Sequence, residues 1–76
     1  MQVSLNQVKP LETAVITHIY TDPHLTRRLR AFGLVPGTKV LCRYRNPGKS
    51  LTALEFRDTV VALRTKDLQK ILVGIG

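Results

Sequence analysis

Residues 25–40 read L-T-R-R-L-R-A-F-G-L-V-P-G-T-K-V and leave a folding chain little choice. Asp22 is placed to cap a helix, its side-chain oxygen accepting from first-turn N–H groups, and Pro23 follows where a missing N–H costs nothing. Leu25, Leu29 and Phe32 share one helical face, while Arg27, Arg28 and Arg30 point away or to its flanks. Gly33 is set to stop the helix in the left-handed region that a Cβ resists, with Leu34 folding back on the last turn. Pro36 and Gly37 suit the central positions of a type II turn, and a strand starts directly after. The segment thus predicts a short helix held tightly against the mouth of a small β-structure.

The chain's 76 residues allow one domain, and a hydrophobic fraction of 43% supports a real core. Cores of this size contribute only about 3–5 kcal/mol, so local features matter. The single Cys42 excludes an internal disulfide, and nothing implies an oxidising compartment. The first residues lack a basic start followed by an apolar run, and no apolar run is long enough to span a bilayer. A cytoplasmic protein is expected. Twelve Lys and Arg against five Asp and Glu give a net charge of +7. That charge fits an anionic partner, and it equally fits ordinary solubility.

Around the helix the chain divides into short elements. Ser4 to Gln7 match a capping box, S-x-x-Q, with Val8 and Leu11 as packing residues and the turn closing at Lys9-Pro10. Residues 13–20 read as the first strand. Val40, Cys42 and Tyr44 alternate with Lys39, Leu41, Arg43 and Arg45, predicting a half-buried strand with a basic outer face. Residues 46–49 form a turn. Leu54 and Phe56 face inward on the next strand, Asp58 and Thr59 reverse the chain, and Val61 and Leu63 face inward on another. Thr65 can cap a short helix carrying Leu68 and Ile71, and residues 72–75 can return as an edge strand. About five closely joined strands with one or two short helices predict a mostly β protein, a small, strongly bent antiparallel barrel.

The inventory does not support an enzyme. Cys42 lies between Val40 and Tyr44 on the inward face, where a thiol behaves as a small hydrophobe, and the carboxylates are scattered. N-P-G-K-S (46–50) lacks the first glycine of a phosphate loop and precedes a strand. His18, Asp22 and His24 are weak candidates for a metal such as Zn²⁺, against the alternative of a solvated loop with ordinary histidines. No cofactor is expected. What remains is binding. Leu41, Arg43 and Arg45 on the outer row, with Leu51, Ala53 and Val60 on neighbouring strands, suit a docking patch, and coverage by a terminal segment is the competing explanation.

In Leu25, Arg28, Leu29, Gly33, Leu34, Pro36, Gly37 and Val40, in L-E-F-R-D-T-V-V-A-L-R (54–64) and T-K-D-L-Q-K-I-L-V (65–73), and in its opening S-L-N-Q-V-K-P-L-E-T-A-V-I, the chain resembles the FeoA family of bacterial ferrous iron transport. The likeness covers nearly the whole chain. It departs at His18, Ile19 and Tyr20, where many members carry a glycine after the first strand, and at Asp58, where glycine is common. The resemblance implies an SH3-like barrel, and a non-enzymatic accessory role with the FeoB membrane transporter as partner. The barrel would dock on the cytoplasmic part of FeoB, giving peripheral association with the inner membrane. A basic nucleic-acid-binding barrel is one alternative, but no nucleic acid is expected, because the chain has no Trp and few aromatics to stack bases. A stand-alone form of the FeoA-like domain of iron-dependent repressors is another.

Overall fold

Hydrogen-bonded antiparallel ladders organise the molecule into one sheet whose strands lie in the order Gln2–Ser4, Ile71–Gly74, Thr13–Ile19, Lys39–Arg45, Leu51–Phe56 and Thr59–Arg64. The structure, a computed structural model, describes residues 2–48 and 50–75. Along the chain these are β1 (Gln2–Ser4), a 3₁₀ turn (Leu5–Gln7), β2 (Thr13–Ile19), α1 (Pro23–Phe32), β3 (Lys39–Arg45), β4 (Leu51–Phe56), β5 (Thr59–Arg64), a second 3₁₀ turn (Thr65–Lys70) and β6 (Ile71–Gly74). The expected bent antiparallel β fold is present with six strands in place of about five. No ladder joins edge strands β1 and β5 among the described residues, so the barrel is open there.

The strand missed by sequence is β1, too short to show alternation; it exists because β6 offers it a ladder, Val3 opposite Val73. For the same reason the C-terminal strand is not an edge. It runs between β1 and β2, and Ile71 and Val73 are fully buried. The Pro23 helix is as expected. Asp22 Oδ1 accepts from Leu25 N at 2.9 Å, Pro23 opens the helix, and Gly33 closes it at φ 94° with its N–H on the Arg30 carbonyl. Leu29 is the fully buried side chain of α1, so truncating it to alanine would cost about 2–5 kcal/mol. Phe32 does not join it and stays 43% exposed at the helix end.

Gly37, at φ 96°, completes a turn in which Thr38 N donates to the Val35 carbonyl at 3.0 Å. The turn is fastened to β2 by Gly37 N to Ile16 O (2.7 Å) and Ile16 N to Thr38 O (2.9 Å). Leu5, Val8, Ile16, Leu34, Leu54 and Leu68 lie wholly inside, drawn from strands, turns and loops, which makes one core under the curved sheet.

Several local expectations change. Ser4 makes no side-chain cap, and Thr65 is itself the first residue of its turn, its hydroxyl 2.9 Å from that of Thr52. The β4–β5 reversal is centred on Arg57 and Asp58, both at positive φ (52° and 61°), rather than on Asp58 and Thr59. In the 46–49 turn, Lys49 lies outside the described residues.

Candidate functional site

A single extra residue in β3 decides what the outer face carries. Cys42 pairs with Leu54, then Tyr44 with Ala53 and Arg45 with Thr52, leaving Arg43 in a bulge without a partner of its own. One inserted residue reverses every later side chain. Tyr44, expected inside, is therefore 57% exposed. Arg45, expected outside, turns inward and donates from Nε to Thr52 Oγ1 and from Nη2 to the Val8 carbonyl, each at 3.0 Å. Of the expected row, Leu41 is half-buried between Thr13 and Glu55, and Arg43 is on the surface in a 2.8 Å ion pair with Glu55.

The outer face gains residues in exchange. Leu11, expected to pack inside, is 77% exposed. Glu12 N donates to the Lys9 carbonyl at 3.0 Å, so Pro10 and Leu11 are the central residues of a turn, and Leu11 has the positive φ (74°) that such a turn demands at its third position. Two further bonds, Leu11 N to Cys42 O (2.6 Å) and Cys42 N to Glu12 O (3.0 Å), pin this turn to β3. Beside Leu11 runs an open groove of about 620 Å³, with Val15, Lys39 and Ile75 along it. Val15 stands opposite Lys39, and Thr13 opposite Leu41, so these side chains form one cross-strand patch. The K-P-L-E turn was the available signal in the sequence, since a leucine in a Pro-X turn is pushed into a position glycine prefers.

A second groove, of about 440 Å³, separates α1 from the end of β4 and β5, with Arg28 and Phe32 on one wall and Leu51, Ala62 and Arg64 on the other. Among the described residues the ion pair is Arg43 with Glu55, and neither Arg28 nor Arg64 forms one.

The remaining sequence candidates are dispersed. His18 stacks on Tyr20 with ring centres 5.7 Å apart, and its Nδ1 lies 3.0 Å from Gln2 Nε2. Asp22 is committed to the α1 cap; the Leu25 N–H is the chief reason its carboxyl lies below the ordinary range. Among the described residues no three His, Cys, Asp or Glu side chains come together as a metal site. Cys42 is sealed in the core, and burial pushes its thiol up, keeping it protonated at neutral pH. In the 46–50 loop, Asn46 Oδ1 accepts from Ser50 N and Leu51 N, occupying donors that a phosphate would need. No helix among the described residues is long and apolar enough to cross a membrane.

The fold is that of a small, mostly β domain of the SH3-like kind. Its family follows from comparison: the FeoA domain pattern spans residues 3–74, and the chain belongs to the FeoA family, which is linked to ferrous iron transport. The FeoA protein from Chlorobium tepidum is 25% identical with a TM-score of 0.93, covering 96% of this chain and 70% of that one. A FeoA-like protein from Clostridium acetobutylicum is 24% identical with a TM-score of 0.85, covering 97% and 86%. A manganese-dependent transcriptional repressor contains the same fold, with 17% identity and a TM-score of 0.88 over 99% of this chain but 42% of its own. No curated protein matches the chain in sequence.

Proposed function

We propose that the chain docks on the cytoplasmic part of the FeoB transporter and biases its conformation or nucleotide cycle, without handling iron itself. Membership of a family linked to ferrous iron transport supports the setting. The observation that carries the docking is Leu11, a large apolar side chain held in solvent by a strained backbone. Such strain persists where function keeps it. Leu11, Val15 and Leu41 supply apolar area, and Lys39 and Arg43 border it with positive charge. Leu41 and Arg43 remain contact residues in this proposal, whereas Arg45 is turned inward and holds the Val8 carbonyl at the end of the first 3₁₀ turn. The experiment is the affinity of the folded protein for detergent-solubilised full-length FeoB. Binding that weakens on truncating Leu11 supports the proposal, and absence of wild-type binding removes it.

A further inference from the structure

Among the described residues, strand β5 is an open edge with an ordered row of unused backbone groups. The Arg57-Asp58 turn sets Phe56 opposite Thr59 as the first hydrogen-bonded pair of the hairpin. Alternation along an antiparallel ladder then makes Leu54–Val61 and Thr52–Leu63 the next bonded pairs. The N–H and C=O groups of Val60, Ala62 and Arg64 consequently point away from β4, and β5 ends the sheet. Val60 is 58% exposed, and Ala62 and Arg64 are exposed too. An apolar, uncovered edge of this kind is a template for another strand.

We propose that β5 accepts an extended segment of a protein partner as a seventh, antiparallel strand, with a carboxylate of that segment on Arg64. The outer-face side chains set the pattern. Ala62 stands opposite Ala53, and these small residues leave a trough beside Tyr44 that a larger apolar side chain fills. Val60 continues the apolar row, and Arg64 ends it beside Leu51. Read antiparallel, the incoming strand is acid-x-apolar-x-apolar, because residues directly opposite share a face. The groove between β5 and α1 gives it room.

The charge of that groove selects the occupant. Arg28, Arg64 and the neighbouring Lys66 outnumber Asp22 and Asp67 there, which leaves the groove net positive. A second copy of this chain would bring +7 against +7, which disfavours self-pairing. A nucleic acid cannot pair with a row of strand amides. The inference rests on the docking proposal only for which protein carries the strand.

The test uses the full chain and a short peptide containing Glu-Thr-Val-Thr-Ile, with a lysine-for-glutamate version and a version N-methylated on its bonding edge. Wild type should bind the first, slowing amide exchange at Val60 and Ala62, and should bind the other two about tenfold more weakly or worse. Ala62→Pro removes one outward N–H and spares the β4–β5 ladder, so it should lose the peptide while keeping its fold. Arg64→Glu should reverse the preference toward the lysine peptide. Equal affinity for all three peptides, no protection at Val60 and Ala62, or a wild-type dimer that Ala62→Pro dissociates would each overturn the proposal. Measured on solubilised FeoB, equal binding of wild type and Ala62→Pro rejects the edge as the site there and leaves docking standing. Peptide capture without FeoB binding keeps the edge and rejects the docking proposal.

Discussion

Leu11 and Gly37 occupy the same place in two turns of one kind. Each follows a proline, each has positive φ (74° and 96°), and each turn closes with an N–H to carbonyl bond of 3.0 Å. Gly37 meets this conformation freely, whereas a leucine resists it by about 1–2 kcal/mol. Leu11→Gly should therefore hold or raise the melting temperature, although it removes a large side chain. Gly37→Leu should lower it. Thermal denaturation of both variants checks the pair, and a marked loss of stability in Leu11→Gly would show that Leu11 packs in solution.

Arg45 is expected to matter for stability and Arg43 much less. The Arg45 guanidinium spans the Val8 carbonyl and the Thr52 hydroxyl, tying the first 3₁₀ turn to the sheet. Removing it takes a donor from the Val8 carbonyl and leaves the Thr52 hydroxyl with Thr65 alone, a loss of about 1–3 kcal/mol. The Arg43–Glu55 pair is half in solvent, and such pairs contribute about 0.2–1 kcal/mol. Urea unfolding of Arg45→Ala and Arg43→Ala should give this order, and equal losses would contradict it.

These two arginines also show where sequence reading stops. The cap at Asp22, the stop at Gly33 and the turn at Gly37 were legible because each depends on the chemistry of one residue within its own few neighbours. The inward set Val40, Cys42, Leu54 and Phe56 was legible from alternation. Alternation assumes an unbroken ladder, and the bulge at Arg43 breaks it through pairing with β4, information residues 39–45 do not carry alone. Strand β1 and the interior placement of β6 have the same origin, since each needs a partner far along the chain. The candidate site was half legible: Leu41 and Arg43 stood in the expected row, while Leu11 was hidden because a leucine near a turn reads as core.

Gly33 should tolerate no side chain. Its φ of 94° strains any L-residue, and a Cβ there would sit 3.1 Å from Arg57 Cδ. Gly33→Ala should lose about 1–2 kcal/mol, and Gly33→Val more, because a β-branched residue resists the left-handed region further. Arg57→Ala in the Gly33→Ala background should recover the part owed to the contact and leave the backbone part. Complete recovery would show that φ strain contributes nothing.

Asp22 should give the fold an acid-sensitive helix start. The Leu25 N–H holds the folded carboxyl below its ordinary 3.8, so its stabilisation is complete above that value and fades as pH falls through the lower folded pKa. Asp22→Ala should lower the melting temperature at neutral pH, and the gap to wild type should close in strong acid. Asn at this position keeps a capping oxygen and should retain much of the stability without the pH dependence. A gap unchanged from neutral to strongly acidic pH would mean that the charge plays no part.

Docking should separate apolar from charged contributions on the outer face. Leu11 is mostly in solvent in the free protein, so burying it against FeoB would stabilise the complex by about 1.5–3 kcal/mol. Leu11→Gly should then weaken affinity roughly tenfold to a hundredfold, chiefly by faster dissociation, with the fold intact. Lys39→Ala and Arg43→Ala should act differently. Both side chains are exposed, and loss of their charge should slow association at low salt and converge on wild type at high salt. Surface-immobilised FeoB with measured on- and off-rates at two ionic strengths distinguishes the two behaviours. Wild-type rates in Leu11→Gly would move the docking site off this face, whatever the charge variants do.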